Sequence, residues 1–200
     1  MTCIRFLFIS AVLLHLAACG SSPVSHDRYY SLVLAADNGN VQGDATTNAR
    51  LIVGPIELPD YLSNRGIAMQ TGPNRIESAN HHLWAESLDE AIAKVLTQDI
   101  AGRTNGIKVE RESGRWTRDE DCRVRVEFDA FHPTNNSRVV SSGRYWISSE
   151  DSSDSQAFSL SHTLTIDGYA HAVDALRATL ESLAQQIAEH VQNTPACTGK

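Results

Sequence analysis

From Cys122 onward the chain alternates. Cys122, Val124, Val126, Phe128 and Ala130 are apolar, while Arg123, Arg125, Glu127 and Asp129 between them are charged. A period of two places the two sets on opposite faces, so this segment is satisfied as a strand with one face buried and one face wet. Residues 139–148 and 157–166 follow at hairpin-like separation, with polar turns at Pro133-Thr134-Asn135-Asn136 and at residues 150–155. The spacing predicts three sequential antiparallel strands. The period then becomes helical. Tyr169, Val173, Leu176, Leu180, Leu183, Ile187 and Val191 recur every three or four residues. They predict a helix over 169–192, with Asp167 placed to cap its start and Pro195 past its end. About three heptads are minimal for a coiled coil, and a helix lying on a sheet gives the same stripe, so the sheet is the expected partner.

The first half supplies the remaining elements. Residues 28–34, with two tyrosines and a β-branched residue, and 50–56, with Leu51-Ile52-Val53, read as strands. Residues 67–69 and 75–77 are short strand candidates across a turn at Gly72-Pro73-Asn74, and residues 35–49 read as loop. Leu88, Ile92, Val95, Leu96 and Ile100 predict a helix, with Trp84 one turn upstream. Ser87 and Glu90 have the form of a capping box, and Gly102 is the expected stop. Two helices against six or seven strands predict a single α/β (or α+β) domain over residues 28–192, followed by a tail at 193–200. Its expected architecture is a mixed, largely antiparallel sheet packed by two long helices. A hydrophobic fraction of 42 % and a charged fraction of 20 % suit such a core. The net charge of −7, from 17 basic and 24 acidic side chains, argues against a nucleic-acid partner, which requires a basic face.

Residues 1–18 do not belong to that domain. Arg5 is their one charge, and the apolar run from Phe6 to Ala18 is interrupted by Ser10 and His15. It is shorter than the roughly 20 residues of a membrane span. A basic start, a short apolar stretch and small residues at its end are the anatomy of a secretory signal. The end, Leu16-Ala17-Ala18-Cys19, resembles a bacterial lipobox. This implies cleavage before Cys19, a diacylglyceryl thioether on its sulfur and acylation of its new amino group, palmitate being the expected chain. Residues 19–27 then form a tether. Gly20, where an Asp would signal inner-membrane retention, implies sorting to the periplasmic face of the outer membrane. An ordinary secreted protein with a chance Cys at the cleavage site is the alternative. With Cys3 removed and Cys19 acylated, Cys122 and Cys197 remain in an oxidising compartment. They are disulfide candidates, although Cys122 also fits as a buried apolar residue of its strand.

Catalytic motifs are missing from the sequence. It contains no G-x-S-x-G, H-E-x-x-H or G-x-x-x-x-G-K-[ST] segment. His81-His82 read as solvated loop histidines, because adjacent residues rarely aim at one ion. Asp119-Glu120-Asp121 lacks the pattern of a calcium loop and reads as a solvated turn. His162 shares a face with Phe158, Leu160 and Leu164, which predicts a partly buried strand histidine. Arg123 and Arg125 beside Glu127 and Asp129 predict cross-strand pairing. Asn135-Asn136-Ser137 is a formal glycosylation sequon. No metal or cofactor is expected. The unusual stretch is the strand that runs into Pro55-Ile56-Glu57-Leu58-Pro59-Asp60-Tyr61-Leu62. Two prolines lower the ordering cost of a loop that binds a partner. Pro59, Tyr61, Leu62, Asn64 and Arg65 are therefore interface candidates. The alternative for Tyr61 and Leu62 is satellite core beneath the helix.

Three stretches carry a family resemblance. Tyr29-Tyr30-Ser31-Leu32 soon after the lipobox, Val53 to Leu62, and Trp84-Ala85-Glu86-Ser87-Leu88 resemble, in that order, the ABC-type transport auxiliary lipoproteins. The strand from Val124 to Phe128, Trp146 and the last helix also fit. Asn64-Arg65-Gly66-Ile67 stands where the family often has Arg-Pro-Gln-Ile. Leu83 and Ser87 depart from its Arg-Trp-Ala-Glu-Pro segment. The resemblance implies a non-catalytic subunit of an intermembrane system for lipids or other hydrophobic molecules. Such a subunit docks a periplasmic MCE-domain (mammalian cell entry) protein at the outer membrane, with copies arranged as a ring. Two other classes remain open from sequence: a free lipid carrier with its own apolar cavity, and a hydrolase whose Ser-His pair meets only in the fold.

Overall fold

The structure, a computed structural model, describes residues 26–33, 49–112, 121–150 and 152–198. Cys19, the lipobox residues Leu16, Ala17 and Ala18, and nearly all of the loop expected at 35–49 lie outside the described residues. In chain order the elements are β1 (Arg28–Tyr30), β2 (Arg50–Glu57), a 3-10 turn (Asp60–Leu62), β3 (Gly66–Gly72), β4 (Arg75–Trp84) and α1 (Leu88–Ala101). They continue with β5 (Lys108–Arg111), β6 (Cys122–Thr134), β7 (Arg138–Ser148), β8 (Ser153–Thr163), α2 (Tyr169–Gln192) and a single turn, α3 (Pro195–Thr198). No described helix is long and apolar enough to cross a membrane.

The alternating segment becomes the organising strand, because β6 is paired along both edges. On one side the meander β6-β7-β8 is antiparallel throughout, as its spacing predicts. On the other side β6 runs parallel to β2, with Leu51 opposite Cys122. Further along, Gln70 of β3 faces Thr134. β5 flanks β2, β4 flanks β3 and β1 flanks β4, which completes one mixed sheet of eight strands. β5 carries no strand signal in the sequence: its four residues, Lys-Val-Glu-Arg, have no apolar run. β4 is ten residues long, so His81 and His82 are strand residues and not loop residues. His81 pairs with Asp27 at 2.9 Å. His82 stacks on Tyr169 at 4.0 Å, and the Tyr30 hydroxyl lies 2.8 Å from its Nδ1.

Both long helices lie on one face of the sheet, α1 over β2 and β5, α2 over β6, β7 and β8, and they also pack on each other. The alternating side chains sort accordingly. Val124, Val126, Tyr145 and Ile147 are buried beneath the helices with Leu176, Leu180, Leu183 and Ile187. Arg125 and Glu127 emerge on the open face, where Arg125 donates to Glu57 across the parallel pair at 2.7 Å and lies over the Trp146 ring at 5.0 Å. A bulge after Phe128 leaves Asp129 unopposed, since Gly143 faces Phe128 and Ser142 faces Ala130. The extra residue shifts the parity, so Phe131 enters the core while Ala130 is only half-buried. At this point the backbones nearly touch. A Cβ on Gly143 would lie 2.0 Å from Glu127 O, which only glycine avoids.

Several local expectations are corrected. Ser87 stands at the N-cap of α1 without a side-chain cap bond, and its carbonyl accepts from Ala91 N–H. Asp89 and Glu90 remain in the first turn, where they complement the helix dipole. Gly168, not Asp167, is the N-cap of α2, and Asp167 instead accepts from Ser137 Oγ at 2.9 Å. His162 is exposed, lying near the end of an edge strand. Asp121 is buried at 5 % exposure. It accepts from Arg50 Nη1 at 3.0 Å, while Arg50 Nε and Nη2 go to Glu110. One guanidinium thus ties the starts of β2, β5 and β6 together, and with Lys108 it holds the Glu110 carboxyl below its ordinary pKa. Beside it the Cys122 and Cys197 sulfurs are joined, their Cα atoms 5.4 Å apart, which fixes α3 to the start of β6.

Candidate docking groove

Pro59 begins a tight reversal after β2. Leu62 N–H donates to Pro59 O at 2.9 Å and Ser63 N–H to Asp60 O at 3.1 Å. The chain re-enters the sheet at Gly66, where a Cβ would meet Ser78 Oγ at 2.3 Å and Ala79 O at 2.4 Å. That close approach of β3 to β4 requires glycine. The reversal rolls Leu62 inward to 3 % exposure, within the main core. Leu62 is therefore not an outward anchor; it is buried, as in the alternative reading, and belongs to the main core itself. Tyr61 is half-buried, with its ring edge-on to His132 at 5.8 Å and its hydroxyl donating to Asp129 O at 3.3 Å. Burial pushes the Tyr61 phenol above its ordinary pKa and the His132 imidazole below. Pro59 is half-buried as well, whereas Asn64 and Arg65 are exposed.

Backbone hydrogen bonds draw the start of α1 to this reversal. Trp84 N–H donates to Arg65 O at 2.7 Å and Ala85 N–H to Tyr30 O at 2.8 Å. The Arg65 guanidinium lies over the Tyr29 ring, 5.5 Å from its centroid. A groove of about 560 Å³ opens between the reversal and the helix start. Leu58, Leu62, Trp84 and Leu88 supply its apolar floor, and Asn64, Arg65, Glu86 and Asp89 its polar rim. Glu86 is bonded by Lys94 of α1. An apolar floor with a rim of both charges suits a peptide segment that inserts a side chain and hydrogen-bonds at its margins. Trp84 and Leu88 read in the sequence as a helix stripe, and their place in the groove was not foreseen. The available signal is that both belong to the third family-like stretch, Trp84-Ala85-Glu86-Ser87-Leu88.

The architecture is a two-layer α/β domain with its long helices on one face of a mixed sheet. It matches a crystal structure of an uncharacterized protein with a TM-score of 0.72, at 24 % identity, covering 83 % of this chain and 99 % of that one. Protein XCC0632 from Xanthomonas campestris matches with a TM-score of 0.58, at 12 % identity, over 89 % of this chain and 90 % of that one. These likenesses establish the fold. The profile of the ABC-type transport auxiliary lipoprotein component family matches residues 30–188, and the chain belongs to that family. Over 188 residues it is 26 % identical to the intermembrane transport lipoprotein PqiC of Escherichia coli strain K12, covering 94 % of this chain and 97 % of that one. The PqiC of Shigella flexneri matches to the same extent.

Proposed function

We propose that this chain is a non-catalytic lipoprotein subunit of an intermembrane transport system. In this reading acylated Cys19 anchors it at the periplasmic face of the outer membrane, and the groove between Leu58 and Leu88 docks an MCE-domain periplasmic protein. Several copies form a ring at the end of the conduit. The observation that carries the reading is convergence. The Trp84–Leu88 stretch is bonded through its backbone to Tyr30 and to Arg65, just past the Val53–Leu62 stretch. Residues of the second and third stretches line one groove although they are well separated in the chain. The space between helices and sheet is filled by fully buried Leu176, Leu180, Leu183 and Ile187, which supports docking over a carrier that would keep that space for an acyl chain.

The test separates binding from folding. Asn64→Ala with Arg65→Glu changes only exposed groups, so the melting temperature should hold. Capture of the MCE-domain partner from detergent-solubilised membranes should weaken by about 1–3 kcal/mol if the rim is part of the interface. Leu62→Ala should instead lower stability by about 2–5 kcal/mol. Undiminished capture by the Asn64/Arg65 variant would place the interface elsewhere.

A further inference from the structure

Among the described residues the sheet has three free edges, and they are not treated alike. β1 has three residues, and β5 has four with Lys108 and Arg111 among them, so both are short or charged in the manner that discourages pairing. β8 has eleven residues, no proline, no lysine or arginine and one carboxylate, Asp154. Its register with β7 is unbroken from Ser148↔Ser153 to Arg138↔Thr163, so no bulge twists it away. Among the described residues, nothing covers its outer side.

The hydrogen-bond phase of that edge follows from its two ends. Ser149 N–H donates to Ser152 O, and Leu164 N–H donates to Ser137 O. With an unbroken antiparallel register between them, the even-numbered residues of β8 bond to β7. The odd-numbered ones, Ser153 through Thr163, turn their N–H and C=O outward. Ser155 N–H fits this phase, since it is met only by Asp154 Oδ1 at 2.8 Å. The odd-numbered side chains are Ser153, Ser155, Ala157, Ser159, Ser161 and Thr163, a uniformly small row on the open face of the sheet. Behind that row stand Arg144, opposite Ala157, and Arg138, opposite Thr163. Neither forms an ion pair among the described residues, and Arg144 reaches only Ser155 Oγ at 3.2 Å.

We propose that β8 is a strand-addition site that receives an extended segment of a partner polypeptide. The outward backbone groups dictate a strand. The small row leaves room for bulky side chains on that strand, and Arg138 and Arg144 favour carboxylates among them. A second copy of β8 fits poorly, because its own open-face row of Ser, Ala and Thr brings no carboxylate to Arg138 and Arg144. β1 and β5 are too short to cover the edge. The site is distinct from the groove and does not rest on the docking reading above.

The experiment uses the full acylated protein in detergent, probed with a blocked dodecapeptide alternating Thr with Tyr and Glu. Saturating peptide should slow amide exchange across Ser153–Thr163 by about tenfold or more. Ser159→Pro removes one outward N–H without touching the β7 ladder, so it should abolish the protection while leaving the melting temperature unchanged. Replacing Glu by Lys in the peptide should weaken binding at least about fivefold through Arg138 and Arg144. Unchanged exchange with peptide, equal binding by Ser159→Pro, or concentration-dependent protection of β8 without peptide would each overturn the proposal. The last would point to a second copy instead.

Discussion

The cross-link between Cys122 and Cys197 should be the largest single contributor to stability that can be removed without disturbing an exposed surface. Both residues are 2 % exposed, and they close a loop with a sequence separation of 75. The perturbation is Cys197→Ala together with Cys122→Ala, which avoids leaving a lone thiol. For a closed loop of that length, restriction of the unfolded chain is worth about 4.5 kcal/mol at 25 °C. In a domain of this size about 1 kcal/mol moves the melting temperature by about 2–4 °C, so a fall of about 9–18 °C is expected. That is a ceiling, because a reduced chain that keeps residual structure loses less entropy. Release of α3 from the start of β6 should also speed amide exchange at Pro195–Thr198 before any other helix. Calorimetry of the wild type with and without reductant reads the effect independently of mutation. Reductant should reproduce the shift in the wild type and do nothing to the double variant. A wild type whose melting temperature ignores reductant, or whose denatured form titrates with both thiols free before reduction, would refute the reasoning.

Two further predictions concern charge. Arg177 of α2 donates to both carboxylate oxygens of Asp99 of α1, at 2.7 and 2.9 Å, with both side chains largely buried. Arg177→Ala should lose about 3–5 kcal/mol by stranding the carboxylate, and Arg177→Met with Asp99→Leu should recover most of it in urea unfolding. The His82 and His132 imidazoles are held below their ordinary pKa of 6.5, in each case chiefly by burial. The folded chain therefore binds fewer protons than the unfolded one. Stability should be fully present above about pH 6.5 and fall as the pH drops through the folded pKa values. The depressed Glu110 carboxyl adds a second loss at lower pH. Melting temperatures across pH 7.5 to 5 check this, and His132→Gln should flatten the first decline.

Periodicity made the best-ordered part of the fold legible. β6, β7, β8 and α2 stand close to where spacing puts them, because consecutive antiparallel strands and an amphipathic helix satisfy their own pattern locally. α1 was equally legible from Leu88, Ile92, Val95, Leu96 and Ile100, all of them buried. The same reading erred wherever the decisive partner was distant in the chain. Asp121 looked like a solvated turn residue until Arg50 reached it. His81 and His82 looked like loop residues until β1 lay parallel to β4.

The candidate groove divides in the same way. Its two prolines and the family-like stretches on either side are visible in the sequence, whereas the exposure of Asn64 and Arg65 comes from the structure. The direction in which Leu62 points was not. A 3-10 turn of three residues has no period to read, so the core beneath it settles which side chains are taken in. The chain by itself determined the meander, the two amphipathic helices and the residues competent to form a cross-link. Only the tertiary structure decided the parallel pairings around β6, the burial of Leu62 and Asp121, the meeting of Cys122 with Cys197, and which edge of the sheet stays open. Alternation reports that a residue is buried, whereas parallel pairing, ion pairs and disulfides depend on which distant segment arrives to bury it.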